Sequence, residues 1–245
     1  MQNIKITLEY DGSKYSGWQI QKNTSMTIQE KVEIALKKVN KKDLKLMGAS
    51  RTDAGVHALG QVANCLFDVA IPPERVPVAL NRYLPADIIC KKAEKVSIDF
   101  HARYDSKGKK YLYRIYNNRI PSVFIRNYAY HYIHELDISL MQKASKAFLG
   151  EHDFSSFQSA GCAAKNPVKT IETFDIYTKG KEFFFEIKGS GFLYNMIRIM
   201  VGTLIEVSEG KIKLEDMGKI IEGKDRNLAG FTAPAKGLTL LEVYY

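Results

Sequence analysis

Apolar and polar residues alternate along the chain with two different periods, one typical of β-strands and the other typical of α-helices. Strand-like patterning predicts strands at 3–10, 44–50, 61–69, 88–96, 109–117, 170–178, 182–189 and 238–245. Helical spacing predicts helices that begin at Ile28, span 74–83 and 137–148, open at Gly191, and end at Gly223. The two kinds of element are interspersed without a low-complexity linker or a short tandem repeat, which favours an α+β fold.

The first predicted helix shows a clear signal for its start. Thr27 and Glu30 are spaced as in a capping box, in which each side chain caps the backbone N–H of the other residue. The helical face that follows is apolar, with Ile28, Val32, Ala35, Leu36 and Val39. We therefore expect an amphipathic helix whose apolar face packs into a core.

The order of the elements predicts an α+β protein of two lobes, each a mostly antiparallel sheet with helices on one face, with an active-site cleft between them. We place the boundary near residue 105, so that 1–104 form an N-terminal lobe and 105–245 form a C-terminal lobe. No Pro- or Gly-rich linker marks this boundary, and we therefore expect the lobes to share an interface.

Composition excludes several classes of protein. Hydrophobic residues make up 45% and charged residues 26% of the 245 positions, which excludes disordered, collagenous and coiled-coil chains. No apolar run approaches the ~18–20 residues that span a bilayer, and the first residues form a strand-like segment with Glu9 instead of a signal peptide. We therefore expect no membrane association.

Cysteine and histidine usage argues against both disulfides and a metal centre. Cys65, Cys90 and Cys162 are few, odd in number and far apart, with no C-x-x-C spacing. His131 and His134 are spaced as H-x-x-H, but no cysteine or acidic ligand set accompanies them. The sequence therefore predicts a cytoplasmic protein without a metal.

The charge of the chain indicates an anionic partner. Lys and Arg number 36 against 27 Asp and Glu, and this net charge of +9 favours nucleic acid. Seven basic residues and one acidic residue fall within 101–126. The same segment contains Tyr104, Tyr111, Tyr113, Tyr116 and Phe124. Cations interleaved with aromatic rings suit single-stranded nucleic acid, whereas the alternative is a solvated basic strand whose tyrosines face a core.

A turn-prone segment from Gly48 to Gly60 contains the first candidates for chemistry. In an extended conformation, Arg51 and Asp53 point to one side and Thr52 to the other. The small neighbouring residues let a ligand approach the backbone. The alternative is an exposed ion pair between Arg51 and Asp53, worth ~0–1 kcal/mol.

Arg198 is the second candidate, because it stands alone in the otherwise apolar segment 189–205. A buried guanidinium without a carboxylate costs several kcal/mol, and this segment contains no acid. We expect Asp53 to be its partner and to stay ionised as a result; the alternative is that Arg198 extends to the surface. Tyr111 is the third candidate, because a tyrosine can stack on an unstacked base, although a core-facing tyrosine is the ordinary alternative.

A glycine pair, Gly189 and Gly191, stands between a predicted strand and a predicted helix. The third glycine of a dinucleotide-binding turn is missing, since position 194 is Tyr, and no phosphate-binding loop accompanies the pair. We therefore expect no cofactor. These patterns favour a basic, cofactor-free protein that acts on nucleic acid, and they do not identify the reaction.

Six sequence blocks together carry a family resemblance: SRTDAGVHALGQ (50–61), DFHAR (99–103), KYLYRIYN (110–117), GEHDFSSF (150–157), GFLYNMIRIMVG (191–202) and TAPAKGL (232–238). They resemble, in family order, the blocks of the TruA-type tRNA pseudouridine synthases, and the first is similar to the catalytic motif of that family. The blocks run through nearly the whole chain, so the resemblance is far more specific than any single motif.

The resemblance implies an isomerase that converts uridine to pseudouridine at positions 38, 39 and 40 of the tRNA anticodon stem-loop, without cofactor or metal. It implies Asp53 as nucleophile, Arg198 as its ion-pair partner, Tyr111 as the residue that packs on the target uracil, and Arg51 as the residue that helps to displace the target base. It also implies a homodimer that binds tRNA across both subunits. Whether Asp53 attacks C6 of the uracil or C1′ of the ribose stays open.

Two other classes of function remain as alternatives. A non-catalytic RNA-binding module would explain the charge without a role for Asp53, but it leaves Arg198 unexplained. A glycosidase-like hydrolase needs two carboxylates ~5–10 Å apart and would release free uracil. If the chain binds RNA, Lys109 and Lys110 are the expected phosphate contacts.

Overall fold

The predicted strands and helices fall into two units in the computed structural model, which describes residues 1–161 and 166–245. In chain order the elements are β1 (Gln2–Tyr10), α1 (Ile28–Asn40), β2 (Met47–Gly48), β3 (His57–Phe67), α2 (Val76–Asn81), β4 (Ile88–Val96), β5 (Gly108–Asn117), β6 (Tyr130–Tyr132), α3 (Ile138–Ser145), β7 (Gly150–Asp153), β8 (Val168–Lys179), β9 (Glu182–Gly189), α4 (Met196–Ser208), α5 (Met217–Glu222) and β10 (Leu238–Tyr244). This mixture of antiparallel strands and helices confirms the α+β class.

The two units divide the chain differently from the sequence-based boundary at 104/105. The first unit comprises Met1–Lys107 and Thr239–Tyr245, and the second comprises Gly108–Leu238. The last residues therefore group with the first unit, whereas the sequence-based boundary assigns 105–245 to the second lobe. The reason is strand pairing, because β10 runs parallel to β3, with Thr239 opposite His57. Sequence periodicity does not reveal a pairing between strands so far apart in the chain.

The first unit is built on β1, which pairs antiparallel with β3 on one side and with β4 on the other. β3 also pairs with β2 and, in parallel, with β10. Alternate residues of β1, namely Ile4, Ile6 and Leu8, are fully buried, because the period of a strand directs them to one face. The apolar stripe of α1 is buried as predicted, apart from Val39, which is partly exposed.

The start of α1 is where the structure differs from the predicted capping box. Thr27 is the N-cap, but its hydroxyl makes no capping hydrogen bond and, within the described residues, has no hydrogen-bond partner. The N–H groups of Ile28 and Gln29 instead donate to the carbonyls of Gly17 and Trp18, at 3.1 and 2.9 Å. These are two of the donors that every helix start leaves unsatisfied. A distant backbone segment therefore caps this helix in place of a local side chain.

The second unit contains the antiparallel strand order β5-β9-β8-β7. The short strand β6 pairs in parallel with the C-terminal end of β5. α4 packs against α3, and ten of its 13 residues are buried. A helix that is apolar on nearly all sides belongs in the interior of its unit. α4 is thus the centre of the second core, as its apolar sequence predicts.

Several element bounds are shorter than the sequence predicted. The strand predicted at 44–50 is reduced to β2, and the helix predicted at 74–83 is α2 preceded by a single 3-10 turn. β6 and β7 were not predicted, because strands of three and four residues are too short to show a period. α4 begins at Met196 and not at Gly191, since Asn195 adopts a left-handed conformation at its start.

Two of the three cysteines lie in the described residues. Cys65 and Cys90 are buried and free, and burial raises the pKa of each thiol to about 12. Cys162, the third, lies outside the described residues. Within the parts of the chain that the structure describes, no helix combines the length and the apolar character needed to cross a membrane.

Gly202 of α4 provides a test of how tightly the second unit is packed. A Cβ at this position would lie 1.8 Å from the carbonyl oxygen of Phe231, and that oxygen belongs to backbone. We expect Gly202→Ala to lower the free energy of unfolding by ~1–3 kcal/mol, because the methyl group forces the helix and the Phe231 backbone apart. Urea unfolding followed by circular dichroism measures this change.

Gly218→Ala is the matched control, because Gly218 is an exposed helical glycine of α5 with no atom within 4 Å of the added Cβ. Its stability should stay the same or rise by up to ~1 kcal/mol, since alanine favours a helix over glycine. Equal destabilisation of the two variants would contradict the packing account.

Candidate active site

The residues predicted for chemistry are divided between the two units. Arg51 and Asp53 lie in the first unit, on the loop between β2 and β3. Tyr111 lies on β5 and Arg198 on α4, both in the second unit. The predicted ion pair between Asp53 and Arg198, like the predicted cleft, therefore stays a prediction.

The Asp53 loop has the alternating exposure that an extended chain predicts. Arg51 is exposed, Thr52 is buried, and Asp53 is partly exposed. The hydroxyl of Thr52 lies 2.7 Å from the buried hydroxyl of Tyr10 on β1, and the two groups share a hydrogen bond. Because Arg51 is exposed, an ion pair within this loop would contribute little to stability. The buried hydrogen bond of Thr52 is therefore one of the contacts that hold the loop.

The backbone of Gly17 and Trp18 supports the same loop from another side. The Trp18 N–H donates to the Thr52 carbonyl at 2.9 Å. Gly17 has a φ of 98°, and a Cβ there would lie 2.8 Å from the Thr52 carbonyl oxygen and 3.1 Å from the Asp53 carbonyl carbon. Only glycine combines this φ with so close an approach. The backbone on either side of the Thr52–Asp53 peptide is thus held in place.

Gln61 of β3 holds the beginning of the loop. Its side chain is fully buried, and its Nε2 donates to the Ser50 carbonyl at 2.7 Å. Its Oε1 accepts from the Ser50 N–H at 3.2 Å, and Nε2 also reaches the Tyr10 hydroxyl at 3.4 Å. A buried amide is stable only when its hydrogen bonds are made, and here Gln61 makes them to the backbone of the loop.

His57 belongs to the same motif, but its contacts are with a neighbouring turn. It is buried at the start of β3, where its Nδ1 accepts from the Gly12 N–H at 3.1 Å and lies 3.2 Å from Oδ1 of Asp11. A Cβ on Gly12 would lie 2.0 Å from the Val56 carbonyl oxygen, so the turn packs directly on the end of the Asp53 loop. His57 therefore links the turn at Asp11 and Gly12 to the end of the Asp53 loop.

Arg198 is anchored within the second unit by two neutral oxygen atoms. Its Nε donates to the Ala233 carbonyl at 2.7 Å, and its Nη1 donates to Oδ1 of Asn195 at 2.6 Å. Asn195 is the residue with a φ of 61° at the start of α4, and its Nδ2 donates to Ser159 at 2.9 Å. Two fixed donors set the plane of the guanidinium, and neither acceptor neutralises its charge.

The segment that supplies the Ala233 carbonyl is itself held against β5. The hydroxyl of the buried Tyr113 donates to the Pro234 carbonyl at 2.7 Å. Burial raises the pKa of Tyr113 well above 10, although the positive charge of Arg198 acts in the opposite direction. A Cβ on Gly237 would lie 2.6 Å from the Tyr113 ring. The 232–238 block of the sequence thus supplies backbone acceptors and close packing.

Tyr111 lies on β5 opposite Ile187, and only 6% of it is exposed. Its ring meets Phe192 edge-on, with the centroids 5.2 Å apart and an interplanar angle of 83°. This burial is what the core-facing alternative predicts for a tyrosine in a strand. The role of Tyr111 in stacking therefore stays a prediction.

The basic strand is partly neutralised by its neighbour in the sheet. Lys110 forms an ion pair with Glu186, and Arg114 forms one with Glu182, both across the β5–β9 pair. Hydrogen bonds from Lys110 and Tyr177 lower the pKa of Glu186, which keeps that carboxylate ionised. For these two cations the structure supports the alternative of a solvated basic strand, because each cation is paired with a glutamate of β9. Lys109 is partly exposed on the same strand.

Within residues 1–161 and 166–245, no group of three or more His, Cys, Asp or Glu side chains is placed to hold a metal ion. What the structure does hold is a carboxylate on a fixed loop in one unit and an oriented guanidinium in the other. A fixed carboxylate can act as a nucleophile, and an oriented guanidinium can bind a carboxylate or a phosphate.

Sequence reasoning missed the residues that position the candidates. The Asp53 loop is supported by Tyr10, Gln61 and Gly17. Arg198 is supported directly by Asn195, and Tyr113 supports it through the 233–234 backbone. One signal was present in the sequence, because Gln61 is a polar residue that stands between the apolar residues Leu59 and Val62 in a strand-like segment. The left-handed conformation of Asn195 has no comparable signature.

Substitutions of Asn195 separate its backbone role from its side-chain role. Asn195→Gly keeps the left-handed conformation but removes the Arg198 acceptor, so we expect the free energy of unfolding to fall by ~1.5–3 kcal/mol. Asn195→Ala should cost about 1 kcal/mol more, because a Cβ is disfavoured at a φ of 61°. Urea unfolding of both variants measures the two effects. Wild-type stability of Asn195→Gly would show that the amide does not hold Arg198.

Comparisons with known proteins match the whole chain to one family. A family model described as tRNA pseudouridine synthase matches residues 6–105 and 144–245, which include Arg51, Asp53 and Arg198 but not Tyr111. Proteins named tRNA pseudouridine synthase A cover 100% of this chain and 100% of their own length. Their identities are 52% in Acetivibrio thermocellus, 48% in Ruminiclostridium cellulolyticum and 46% in Clostridium acetobutylicum.

A solved structure, the archaeal box H/ACA sRNP Nop10–Cbf5 complex, has 11% identity and a TM-score of 0.37, covering 97% of this chain and 46% of that chain. A similarity at that level carries no argument, so the assignment follows from the family model and the full-length relatives. The chain belongs to the tRNA pseudouridine synthases, a family of isomerases.

Proposed function

We propose that this protein isomerises uridine to pseudouridine at positions 38, 39 and 40 of the tRNA anticodon stem-loop, with Asp53 as the nucleophile and without a cofactor. The observation that carries the proposal is the full-length similarity to relatives named tRNA pseudouridine synthase A, at 46–52% identity. The support given to the Asp53 loop by buried side chains agrees with it, because a catalytic carboxylate needs a fixed position.

The reaction defines what the site has to do. The bond from C1′ to N1 breaks, a bond from C1′ to C5 forms, the proton on C5 is lost, and N1 gains a proton, so the formula of the nucleotide does not change. No electrons are exchanged with a second reactant, and the reaction therefore balances without a redox partner. The site needs a nucleophile, a surface that holds the detached uracil while it turns, and exclusion of water.

Asp53 is proposed as the nucleophile because it is the carboxylate of the motif loop and its backbone is held from several sides. A preorganised group loses little freedom on reaching the transition state. Attack at C6 of the uracil and attack at C1′ of the ribose both need an ionised carboxylate. The two routes differ in which atom Asp53 must reach.

Arg198 is proposed to pair with Asp53 in the working enzyme. A guanidinium beside a carboxylate favours its ionised form, and a planar guanidinium imposes an orientation on the pair. The anchoring of Arg198 by Asn195 and Ala233 supports this role, since an arginine that holds another group must itself be held.

Arg51 and Tyr111 are proposed to act on the target nucleotide. Arg51 is exposed, as a residue that enters a stem-loop has to be, and extracting one nucleotide costs a few kcal/mol. Tyr111 is proposed to pack on the uracil, with its ring orientation set by Phe192. A homodimer that acts on tRNA in the cytoplasm completes the proposal, on the strength of the sequence resemblance.

Replacing Asp53 tests the reaction and the nucleophile together. With unmodified tRNA we expect Asp53→Asn to form no pseudouridine and to release no tritium from C5-labelled uridine, because an amide cannot attack. The affinity for tRNA should change by less than about threefold, since Asp53 is one partly exposed side chain. Asp43→Asn is the matched control, because Asp43 is an exposed aspartate of the same unit that pairs with Lys37.

Three outcomes would overturn parts of the proposal. Tritium release by Asp53→Asn would exclude Asp53 as the nucleophile. Free uracil from the wild type would favour the hydrolase, and tRNA binding without conversion would favour the RNA-binding module.

Two substitutions of Tyr111 separate stacking from hydrogen bonding. Tyr111→Phe keeps the ring and its contact with Phe192, so single-turnover conversion should stay within about tenfold of the wild type. Tyr111→Leu removes the aromatic face and should lower conversion by up to about 150-fold, the upper end of what stacking on one base contributes in a transition state.

Tyr177→Leu is the control for lost packing, because Tyr177 stacks on Phe184 in the same unit, with an interplanar angle of 8°. Melting temperatures of all three variants are measured alongside conversion. Normal turnover by Tyr111→Leu would remove Tyr111 from the mechanism.

A further inference from the structure

We infer that the turn His101–Asp105 is a second RNA-binding site, at which Tyr104 stacks on one unpaired base and Arg103 binds the adjoining phosphate. The identity of the RNA as tRNA rests on the proposed function. The site lies within the first unit, and neither residue belongs to the group proposed to act on the target uridine.

The exposure of Tyr104 is the first observation. It is 76% exposed, although a tyrosine normally buries most of its ring. Its neighbours are the His101 ring, with the centroids 4.3 Å apart, and the Arg103 guanidinium, 6.0 Å from the ring centroid. Most of this aromatic surface therefore faces solvent, next to a cation.

The turn that presents Tyr104 is closed by its own hydrogen bonds. Nδ1 of His101 accepts from the N–H groups of Arg103 and Tyr104, at 3.1 and 3.4 Å. The His101 N–H donates to Oδ2 of Asp105 at 2.9 Å, and the His101 carbonyl accepts from the Tyr104 and Asp105 N–H groups at 3.1 Å each. A preorganised surface loses less entropy when a ligand binds.

Buried side chains attach the base of the turn to the sheet. Asn3 of β1 and Asn64 of β3 are buried, and each donates to the Phe100 carbonyl, at 2.9 and 3.0 Å. Asn64 also accepts from the Ala102 N–H at 2.9 Å, and the Tyr245 hydroxyl donates to the Ala102 carbonyl at 2.7 Å.

Amides are costly in an apolar core unless they are fully bonded, and these two bond to the backbone that leads into the turn. These bonds satisfy the backbone of the buried Ala102 and of Phe100, and they also fix the position of the residues that follow. The support is explained if the turn has to present Arg103 and Tyr104 in one fixed position.

The chemistry of the turn favours RNA over other partners. An aromatic ring with an adjacent guanidinium suits a base and its phosphate, and the exposed Lys107 adds a second cation nearby. The acid in the turn, Asp105, accepts a hydrogen bond from the His101 backbone. Ile98, in the preceding loop, is 59% exposed, so the competing occupant is a protein surface such as a second copy of the chain.

Removing the Tyr104 ring tests the stacking contact. We expect Tyr104→Ala to weaken binding of unmodified tRNA by about 5- to 150-fold, the range reported for removal of one base-stacking ring. Tyr104→Phe should bind within about twofold of the wild type. The melting temperature should not change, because the ring is mostly exposed. Tyr83→Ala is the matched control, since Tyr83 also follows an arginine, Arg82, and is 50% exposed.

The salt dependence of binding separates the ring from the cation. Arg103→Gln should reduce the slope of log Kd against log salt by about one, whereas Tyr104→Ala should leave that slope unchanged. Tyr104→Trp supplies a direct signal, because the single tryptophan of the chain, Trp18, is buried. The fluorescence of the tryptophan introduced at position 104 should be quenched when tRNA binds.

Wild-type affinity and slope in Tyr104→Ala and Arg103→Gln would overturn the inference while leaving the proposed function intact. If Tyr104→Ala or Arg103→Gln changed the oligomeric mass of the protein in solution but left its tRNA affinity unchanged, the turn would be a protein contact. That result would also overturn the inference. If the wild type forms no pseudouridine but Tyr104→Ala still weakens binding, the proposed function fails and the inference stands.

Discussion

The backbone of Gly17 and Trp18 is the constraint on which the first unit's candidate site depends. Its two carbonyls accept the first N–H groups of α1, and the Trp18 N–H donates to the Thr52 carbonyl. One short segment therefore caps the start of α1 and supports the loop of Asp53. The φ of 98° at Gly17 makes this possible, because it lets the two backbones approach without a side chain between them. The backbone position of Asp53 thus follows from the fold of the unit.

Hydrophobic periodicity predicted the long elements, because burial of one face is recorded in the local sequence. β4, β9 and the start of α1 agree with their predicted positions. Two of the differences lie at helix starts, where the cap or the conformation is not the one that the local pattern suggests. Thr27 looks like the cap of α1, yet carbonyls of another segment satisfy the helix, and the start of α4 depends on the conformation of Asn195. Neither the remote cap of α1 nor the left-handed conformation of Asn195 can be read from the periodicity of the sequence.

The candidate site was predictable to a similar degree. An aspartate in a turn-prone loop of small residues and a lone arginine in an apolar helix are visible in the sequence. Their supports are harder to see, because Gln61 and the Ala233 carbonyl bond to residues 11 and 35 positions away, and the nearby Asn195 reaches Arg198 from a left-handed conformation. The polar residues within the mostly apolar β3, His57, Gln61 and Asn64, are a signal that sequence reasoning could have used, since a buried polar side chain must be hydrogen-bonded.

A count of charges along the sequence does not show which cations are paired with carboxylates. The excess of cations at 101–126 indicated a binding strand, but Lys110 and Arg114 face glutamates on β9, which a count along one segment cannot reveal. A cation paired with a carboxylate contributes little to the attraction of a polyanion, because the field of the pair falls off faster than that of a single charge. Arg103 lies instead over an exposed ring in a turn fixed by buried amides. Where the sheet places its acids therefore decides which cations can meet RNA, and this shifts the expected contact from the strand to the turn before it.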